Sequence, residues 1–317
     1  MRKKAMAKKL LLLANPVAGK TSIERNLLAV IDRLVSGGCE VTVETTKRPG
    51  HCVDIIKEKG DRFDIVTVCG GDGTLNEAVR ALLALKEENR KVPELGYIPA
   101  GTVNDFAKSH DIPRDPIGAA NNIINGIPRE CDIGILGENP FVYVAAFGSF
   151  TDTSYTTPQK LKNIFGRAAY ILHGAAKLYK VLRPYKIRVE YDGGVIEGDF
   201  VYGMASNSRT VGGFPLPVEA HVALDDGLLE VILFRCPNSA WSLWKLAMAI
   251  TRRKSDNIEA YEFSTSSLKI IAEEEIPWTT DGEFGGNHKS VEIHNIPRAL
   301  KIIVPEKCQY FGDPRKV

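Results

Sequence analysis

The run Asp64-Ile65-Val66-Thr67-Val68-Cys69 passes without a spacer into Gly70-Gly71-Asp72-Gly73-Thr74, and a helical apolar spacing follows at once. Few folds accept such a junction. A short, continuous apolar run reads as a strand covered on both faces. A helix that starts at its very end must turn back across the sheet, which is the βα half of a parallel crossover.

The surrounding chain repeats that rhythm. Lys9 to Ala14 is another apolar strand, Ser22 to Ser36 has helical spacing, Glu40 to Thr45 alternates like a strand, and His51 to Lys59 reads as a helix stopped by Gly60. The helix after the glycines is expected from Thr74 to about Lys86. Leu95 to Ile98 is a further strand and Ile117 to Asn125 a further helix. Near Cys131 the pattern changes. Strands are expected at Cys131 to Leu136, Phe141 to Phe147, Lys186 to Tyr191, Val195 to Met204, Leu228 to Phe234, Ser267 to Ala272 and Ser290 to His294. Turn signals such as Asp192-Gly193-Gly194, Asp226-Gly227 and Asp281-Gly282 separate them. Helical stretches at Pro158 to Leu182 and Ser239 to Arg253 interrupt the series. The fold class expected is therefore an α/β/α part with a parallel sheet, residues 1–130, and a mainly antiparallel β-sandwich, residues 131–297.

Composition narrows the function classes. With 41 basic and 39 acidic residues the net charge is +2, so no overall field recruits nucleic acid. The basic start, Arg2 to Lys9, leads into only Leu10 to Ala14 before Asn15-Pro16, too short for a signal-peptide core, and no stretch has the length of a membrane span. The six cysteines are scattered without C-x-x-C spacing, which argues against a zinc site or a disulfide framework and suits a cytoplasmic protein.

Glycines at a strand end let backbone N–H groups approach a phosphate, and the helix N-terminus adds partial positive charge. Asp72 would repel a bare phosphate, so its place in that loop implies Mg²⁺ between the two. A tight turn with Asp72 or Thr74 as helix cap is the plainer reading, and three glycines weigh against it. Two more loops fall on the same sheet edge: Ala14 to Lys20, and Ile98-Pro99-Ala100-Gly101-Thr102-Val103-Asn104-Asp105-Phe106-Ala107. Ligands bind at the carboxyl ends of parallel strands.

Asn15-Pro16 with Gly19, then Gly-Gly-Asp-Gly-Thr-Leu-Asn-Glu from Gly70 to Glu77, then Pro99 to Ala107, resemble the diacylglycerol kinase catalytic family. Ser154 to Pro158, Gly166 to Tyr170, Asn207-Ser208 with Gly212-Gly213-Phe214, Leu224 to Leu228 and Asp281-Gly282-Glu283 match its bacterial lipid kinase branch. The resemblance runs from about Leu10 to the C-terminus. It implies a nucleotide-binding domain, a β-sandwich domain and a cleft between them, with a final strand, Ala299 to Val304, returning residues 298–317 to the first domain.

By position, the resemblance implies that Asn15, Thr46, Gly70, Gly71, Asp72, Gly73, Thr74, Leu75, Asn76, Gly101, Thr102, Asn104 and Asp105 bind ATP. Asp72, with Asp105 as a further candidate, would hold the catalytic Mg²⁺. Glu283 is expected to accept the proton of the attacking hydroxyl, with Asp281 the alternative base or a second metal contact. A structural Mg²⁺ is implied at Asp226 and the carbonyls of Ala223 and Leu228. The substrate implied is a lipid alcohol, most simply diacylglycerol giving phosphatidic acid. A sphingoid base, another glycerolipid or a prenol has the same chemistry. The basic and apolar residues of Gly166 to Arg188, and Arg252-Arg253-Lys254, suggest peripheral membrane contact, and a homodimer stays open.

Three rival readings remain. Ala14 to Thr21 fits a relaxed P-loop pattern but lacks the first glycine and contains Pro16. NAD kinases share Gly-Gly-Asp-Gly-Thr, although their second motif usually reads Asn-Glu. A non-catalytic lipid or nucleotide sensor would not need all of Asp72, Asp105, Asp281 and Glu283.

Overall fold

In the computed structural model, residues 7–18, 22–148, 183–211, 214–215, 222–239, 242, 260–308 and 310–311 are described. Gly19 and Lys20, Ser154 to Pro158, the stretch 166–182, Gly212-Gly213 and the segment 243–254 lie outside them, and so do the expectations resting on those residues.

The first half runs β1 (Lys8–Ala14), α1 (Ser22–Ser36), β2 (Cys39–Thr45), α2 (His51–Lys59), β3 (Ile65–Gly70), α3 (Asp72–Glu87), β4 (Glu94–Pro99), α4 (Asp105–Ser109) and α5 (Pro116–Asn125). Strands β2, β1, β3 and β4 pair side by side and parallel. The unbroken apolar run of β1 is explained by its two faces. Leu10 and Leu12 pack with Val30, Leu34 and Ile123 on the side of α1 and α5, whereas Leu11 and Leu13 pack with Ile56, Leu75 and Leu82 on the side of α2 and α3.

The second half holds β5 (Ile127–Leu136), β6 (Asn139–Phe141), β7 (Val144–Gly148), β8 (Tyr185–Tyr191), β9 (Gly194–Ser206), β10 (Thr210–Val211), β11 (Phe214–Pro215), β12 (Leu229–Arg235), β13 (Ala260–Thr265), β14 (Ser267–Thr280) and β15 (Glu283–Val304). Its pairings are antiparallel. Strands β9 and β14 are long enough to pair with β8 at one end and β7 at the other, so they fold two layers over a core of Phe147, Phe200 and Trp278. The molecule is thus an α/β layer joined to a β-sandwich.

Several boundaries differ from those read in the sequence. Helix α3 starts at Asp72 rather than Thr74, because extended Gly71 serves as N-cap and an acidic first turn suits the helix dipole. The expected strand from Phe141 to Phe147 is broken at Val142 and Tyr143, whose N–H groups bond a side chain, Asp281, instead of a strand. Ser267 to Ala272 and Ser290 to His294 are parts of two far longer strands. Ala299 to Val304 is the far end of β15, not a separate element.

Strand β15 crosses between the halves. It pairs antiparallel with β14 and β5 and then parallel with β4 through Ile302 and Leu95. Its register shifts between Ile296 and Leu300, where Arg298 takes a left-handed φ of 50°. Asp132 holds that bulge by accepting from Arg298 N (2.7 Å) and from Asn295 Nδ2 (3.1 Å). One apolar core also runs across both halves, from Leu75 and Leu82 to Val144, Met204 and Ile232. The sheet edge bearing Gly70 therefore faces the hairpin between β14 and β15.

Candidate active site

Every residue from Gly70 to Glu77 has a separate task. Gly70 packs on Thr74: a Cβ there would lie 2.7 Å from Thr74 Oγ1. Gly71 and Gly101 touch through their backbones, and a Cβ on Gly101 would meet Gly71 Cα at 2.9 Å. The close approach of the two loops therefore requires glycine at 101, whereas a Cβ on Gly71 would lie 3.4 Å from Gly101 Cα, an ordinary contact. Gly73 lies under the hairpin, where a Cβ would come within 2.6 Å of Glu283 Oε1. Thr74 Oγ1 accepts from Asn15 Nδ2 (2.9 Å) and so ties in the loop after β1. Leu75 is fully buried in the core. Asn76 Nδ2 donates to Asp281 Oδ2 (2.7 Å) and to Pro140 O (3.0 Å). Glu77 accepts from Gly50 N (2.8 Å) and Cys52 N (3.2 Å), satisfying free donors at the start of α2 and fixing the loop that bears Thr46.

The loop after β4 is locked from within. Asn104, left-handed at φ 53°, accepts from Gly101 N (2.9 Å) and donates to Gly101 O (2.8 Å). Thr102 remains exposed beside it. Ala100 N donates to Gly70 O and Thr46 N to Ala14 O, which brings the ends of β1, β2, β3 and β4 to one edge.

Asp72 is the carboxylate at the centre of that edge. Its partners are distant, Asp105 N at 3.3 Å and Tyr97 Oη at 3.4 Å, and burial pushes its pKa up to about 6. A partly buried carboxylate with such weak donors is well suited to a cation. Asp105 is placed next to it but is already engaged, accepting from Thr210 Oγ1 (3.0 Å) and paired with Lys108 Nζ (3.4 Å). Asp105 is therefore the less available of the two carboxylates.

Asp281 and Gly282 form the two-residue turn between β14 and β15, with φ of 52° and 82°. The hairpin reading of this segment therefore holds. Asp281 is buried, and its oxygens accept from Val142 N (2.8 Å), Tyr143 N (3.0 Å), Val144 N (3.1 Å) and Asn76 Nδ2. Burial raises its pKa to about 6 against the pull of those donors. With both oxygens occupied it is poorly placed to take a proton or a metal, a correction to its expected role. Glu283 is exposed.

Two further expectations are modified. Leu75 and Asn76 are expected as nucleotide contacts, yet the Leu75 side chain is in the core, its N–H bonds Gly71 O (3.1 Å), and the Asn76 amide donates to Asp281 of the hairpin and to Pro140 O of β6. Two tyrosines also line the site. Tyr97 bridges Asp72 and Asn104. Tyr143 has its pKa raised well above the usual tyrosine value, first by burial and then by the charges of Asp281, Asp72, Asp105 and Glu283. That single hydroxyl reports four carboxylates converging from three loops. Nothing in the apolar strand sequence around either tyrosine signals this.

The loop 223–228 lies apart. Asp226 Oδ1 accepts from Leu228 N (3.0 Å), Leu228 O accepts from Asn295 Nδ2 (2.9 Å), and Asp132 Oδ2 accepts from Gly227 N (2.6 Å). Ala223 is buried alongside. Glu230 Oε2 and Asn295 Oδ1 are buried without a hydrogen-bond donor among the described residues. Unsatisfied oxygens near Asp226 fit a hard cation. Among the described residues no three His, Cys, Asp or Glu side chains form a metal cage, so backbone, amide or phosphate oxygens would have to complete either site.

Residues 9–136 match the family model of the diacylglycerol kinase catalytic domain, and residues 152–304 that of the YegS C-terminal NAD kinase beta sandwich-like domain. A diacylglycerol kinase of Bacillus subtilis is 32% identical over 302 residues, covering 94% of this chain and 97% of its own length. One from Staphylococcus aureus strain MRSA252 is 31% identical, over 95% and 93% respectively. The crystal structure of a diacylglycerol kinase from Bacillus anthracis superposes with a TM-score of 0.74 at 22% identity, over 95% of this chain and 98% of that one, a likeness of fold.

Proposed function

The chain belongs to the diacylglycerol kinase family and is a lipid kinase that uses ATP and an alcohol acceptor, and we propose that its acceptor is diacylglycerol and its product phosphatidic acid. The observation that carries the catalytic assignment is the seating of Glu283 Oε1 over Gly73, in the first turn of α3. A carboxylate at that point lies beside the phosphate loop and is open to solvent. It is the general base that accepts the proton of the attacking lipid hydroxyl.

The remaining residues position and exclude. Free N–H groups at the Gly71 end of α3 meet the nucleotide phosphates, aided by the helix dipole. Gly101 and exposed Thr102 bound the nucleotide from the second loop, Asn15 from the first, and Thr46 from the loop after β2. Asp72 is the residue that would hold Mg²⁺, which when bound neutralises phosphate charge. Asp226, with the carbonyls of Ala223 and Leu228, is the proposed site of a second, structural Mg²⁺, and the unsatisfied oxygens of Glu230 and Asn295 support it.

We also propose the division at 130/131 and 297/298, a cytoplasmic location and peripheral docking on a membrane surface. No helix among the described residues is long and apolar enough to cross a membrane. The deciding assay supplies labelled ATP with diacylglycerol, a sphingoid base, a prenol and NAD in turn, with and without a chelator. Label in diacylglycerol, lost on chelation, is expected. Label in NAD alone would overturn the lipid reading.

A further inference from the structure

Asn76 stands on the same face of α3 as Gly73, three residues away. Both touch the hairpin between β14 and β15, but at different points. Gly73 lies under the Glu283 carboxylate, and Asn76 grips Asp281, two residues earlier in the turn. Both N–H groups of the Asn76 amide are engaged, one on Asp281 Oδ2 in that turn and one on Pro140 O of β6. Asp281 in turn gathers three successive amides, Val142, Tyr143 and Val144, and its own N–H donates to Val144 O (2.9 Å). The path from α3 through Asn76, Asp281 and the left-handed turn to Glu283 ends back on α3 at Gly73. Hydrogen bonds to a buried carboxylate are strong and directional, so the turn that carries Glu283 is tightly held at Asp281.

We propose that Asn76 and Asp281 are positioning residues that set Glu283 over the transfer point, and that Asn76 is not a nucleotide contact. The proposal rests on Glu283 being the base. Asn76 sits where a phosphate-loop residue would be expected to bind ATP, yet its side chain joins the nucleotide-binding half to the hairpin of the other half. Two consequences separate this role from a nucleotide contact. Losing Asn76 should leave ATP binding intact, and it should cost nothing once Glu283 has been disabled.

The test uses the full chain with Asn76→Ala and Asp281→Asn, each alone and combined with Glu283→Gln. Asp281→Asn keeps the shape but turns an NH₂ toward backbone or Asn76 donors in either orientation. Steady-state kinetics with ATP and diacylglycerol should give a kcat lowered roughly 10- to 100-fold, as expected for a displaced reacting group. KM for ATP and the calorimetric Kd of ATP with Mg²⁺ should change less than about twofold, and Glu283→Gln should absorb the whole effect. A tenfold weaker ATP Kd in Asn76→Ala, or losses that multiply with Glu283→Gln, would overturn the proposal. Asn76→Ser replaces Asn76→Ala if the latter fails to fold. Should the wild-type chain phosphorylate no lipid, the lipid reading fails separately, and amide exchange then decides the inference. Faster exchange at Val142 to Val144 in Asn76→Ala with unchanged ATP Kd supports it, and unchanged exchange with weakened ATP binding refutes it.

Discussion

One added methyl group at Gly73 tests the placement of Glu283. Gly73 has no left-handed φ, so the backbone accepts alanine, and alanine favours a helix by up to about 1 kcal/mol over glycine. The Gly73→Ala chain should therefore fold at least as stably as the wild type. The new Cβ would stand 2.6 Å from Glu283 Oε1, whereas ordinary contact begins at 3.4 Å, so the carboxylate must retreat by about 0.8 Å. Displacement of a reacting group by about 1 Å costs on the order of 10²-fold in rate, equivalent to about 2.7 kcal/mol of barrier. Kinetics at saturating ATP and lipid should show that loss in kcat, with a melting temperature unchanged or raised. The same substitution in the Glu283→Gln background should add little. Full wild-type kcat in Gly73→Ala would refute the placement of Glu283. An equal further loss in the Glu283→Gln background would mean that the methyl group obstructs the phosphate instead.

Gly101→Ala acts on backbone rather than on a movable side chain, since its Cβ would meet Gly71 Cα at 2.9 Å and Asn104 Oδ1 at 2.7 Å. The loops must part, so KM for ATP should rise at least roughly tenfold, and an unchanged KM would count against nucleotide binding between them. His110 is a pH probe: its ring is buried against Phe106 and Cys131, and burial holds its pKa down to about 4. The unfolded chain binds that proton more readily, so stability is full above about pH 6.5 and is lost as pH falls toward 4, by up to about 3 kcal/mol. Denaturant unfolding of His110→Phe against wild type at pH 7 and pH 4.5 should reveal the difference, and parallel losses in the two proteins would contradict it.

The sequence alone determined the local grammar of this protein. Its apolar runs and glycine punctuation specify βα units, because a strand buried on both faces and a helix stripe each leave a periodic trace in neighbouring residues. Gly70 to Thr74, Pro99 to Ala107 and Asp281 to Glu283 were legible for the same reason: each motif is contiguous. What each residue in them touches was not legible. Gly101 is needed because Gly71 is there, Gly73 leaves room for the Glu283 carboxylate, and Asn76 and Glu77 serve Asp281 and the amides of Gly50 and Cys52. Those partners lie from 25 positions away in the chain, for Cys52 and Glu77, to 210, for Gly73 and Glu283. The same holds for the break at Val142 and Tyr143 and for the carboxylates gathered around Tyr143. Hydrogen bonds, close backbone approach and burial depend on distance in space, which sequence spacing does not encode once the chain has crossed from one half to the other. The tertiary structure alone decided that Asp72 has only distant donors while Asp105 is already paired, and that Asp281 is locked while Glu283 is exposed.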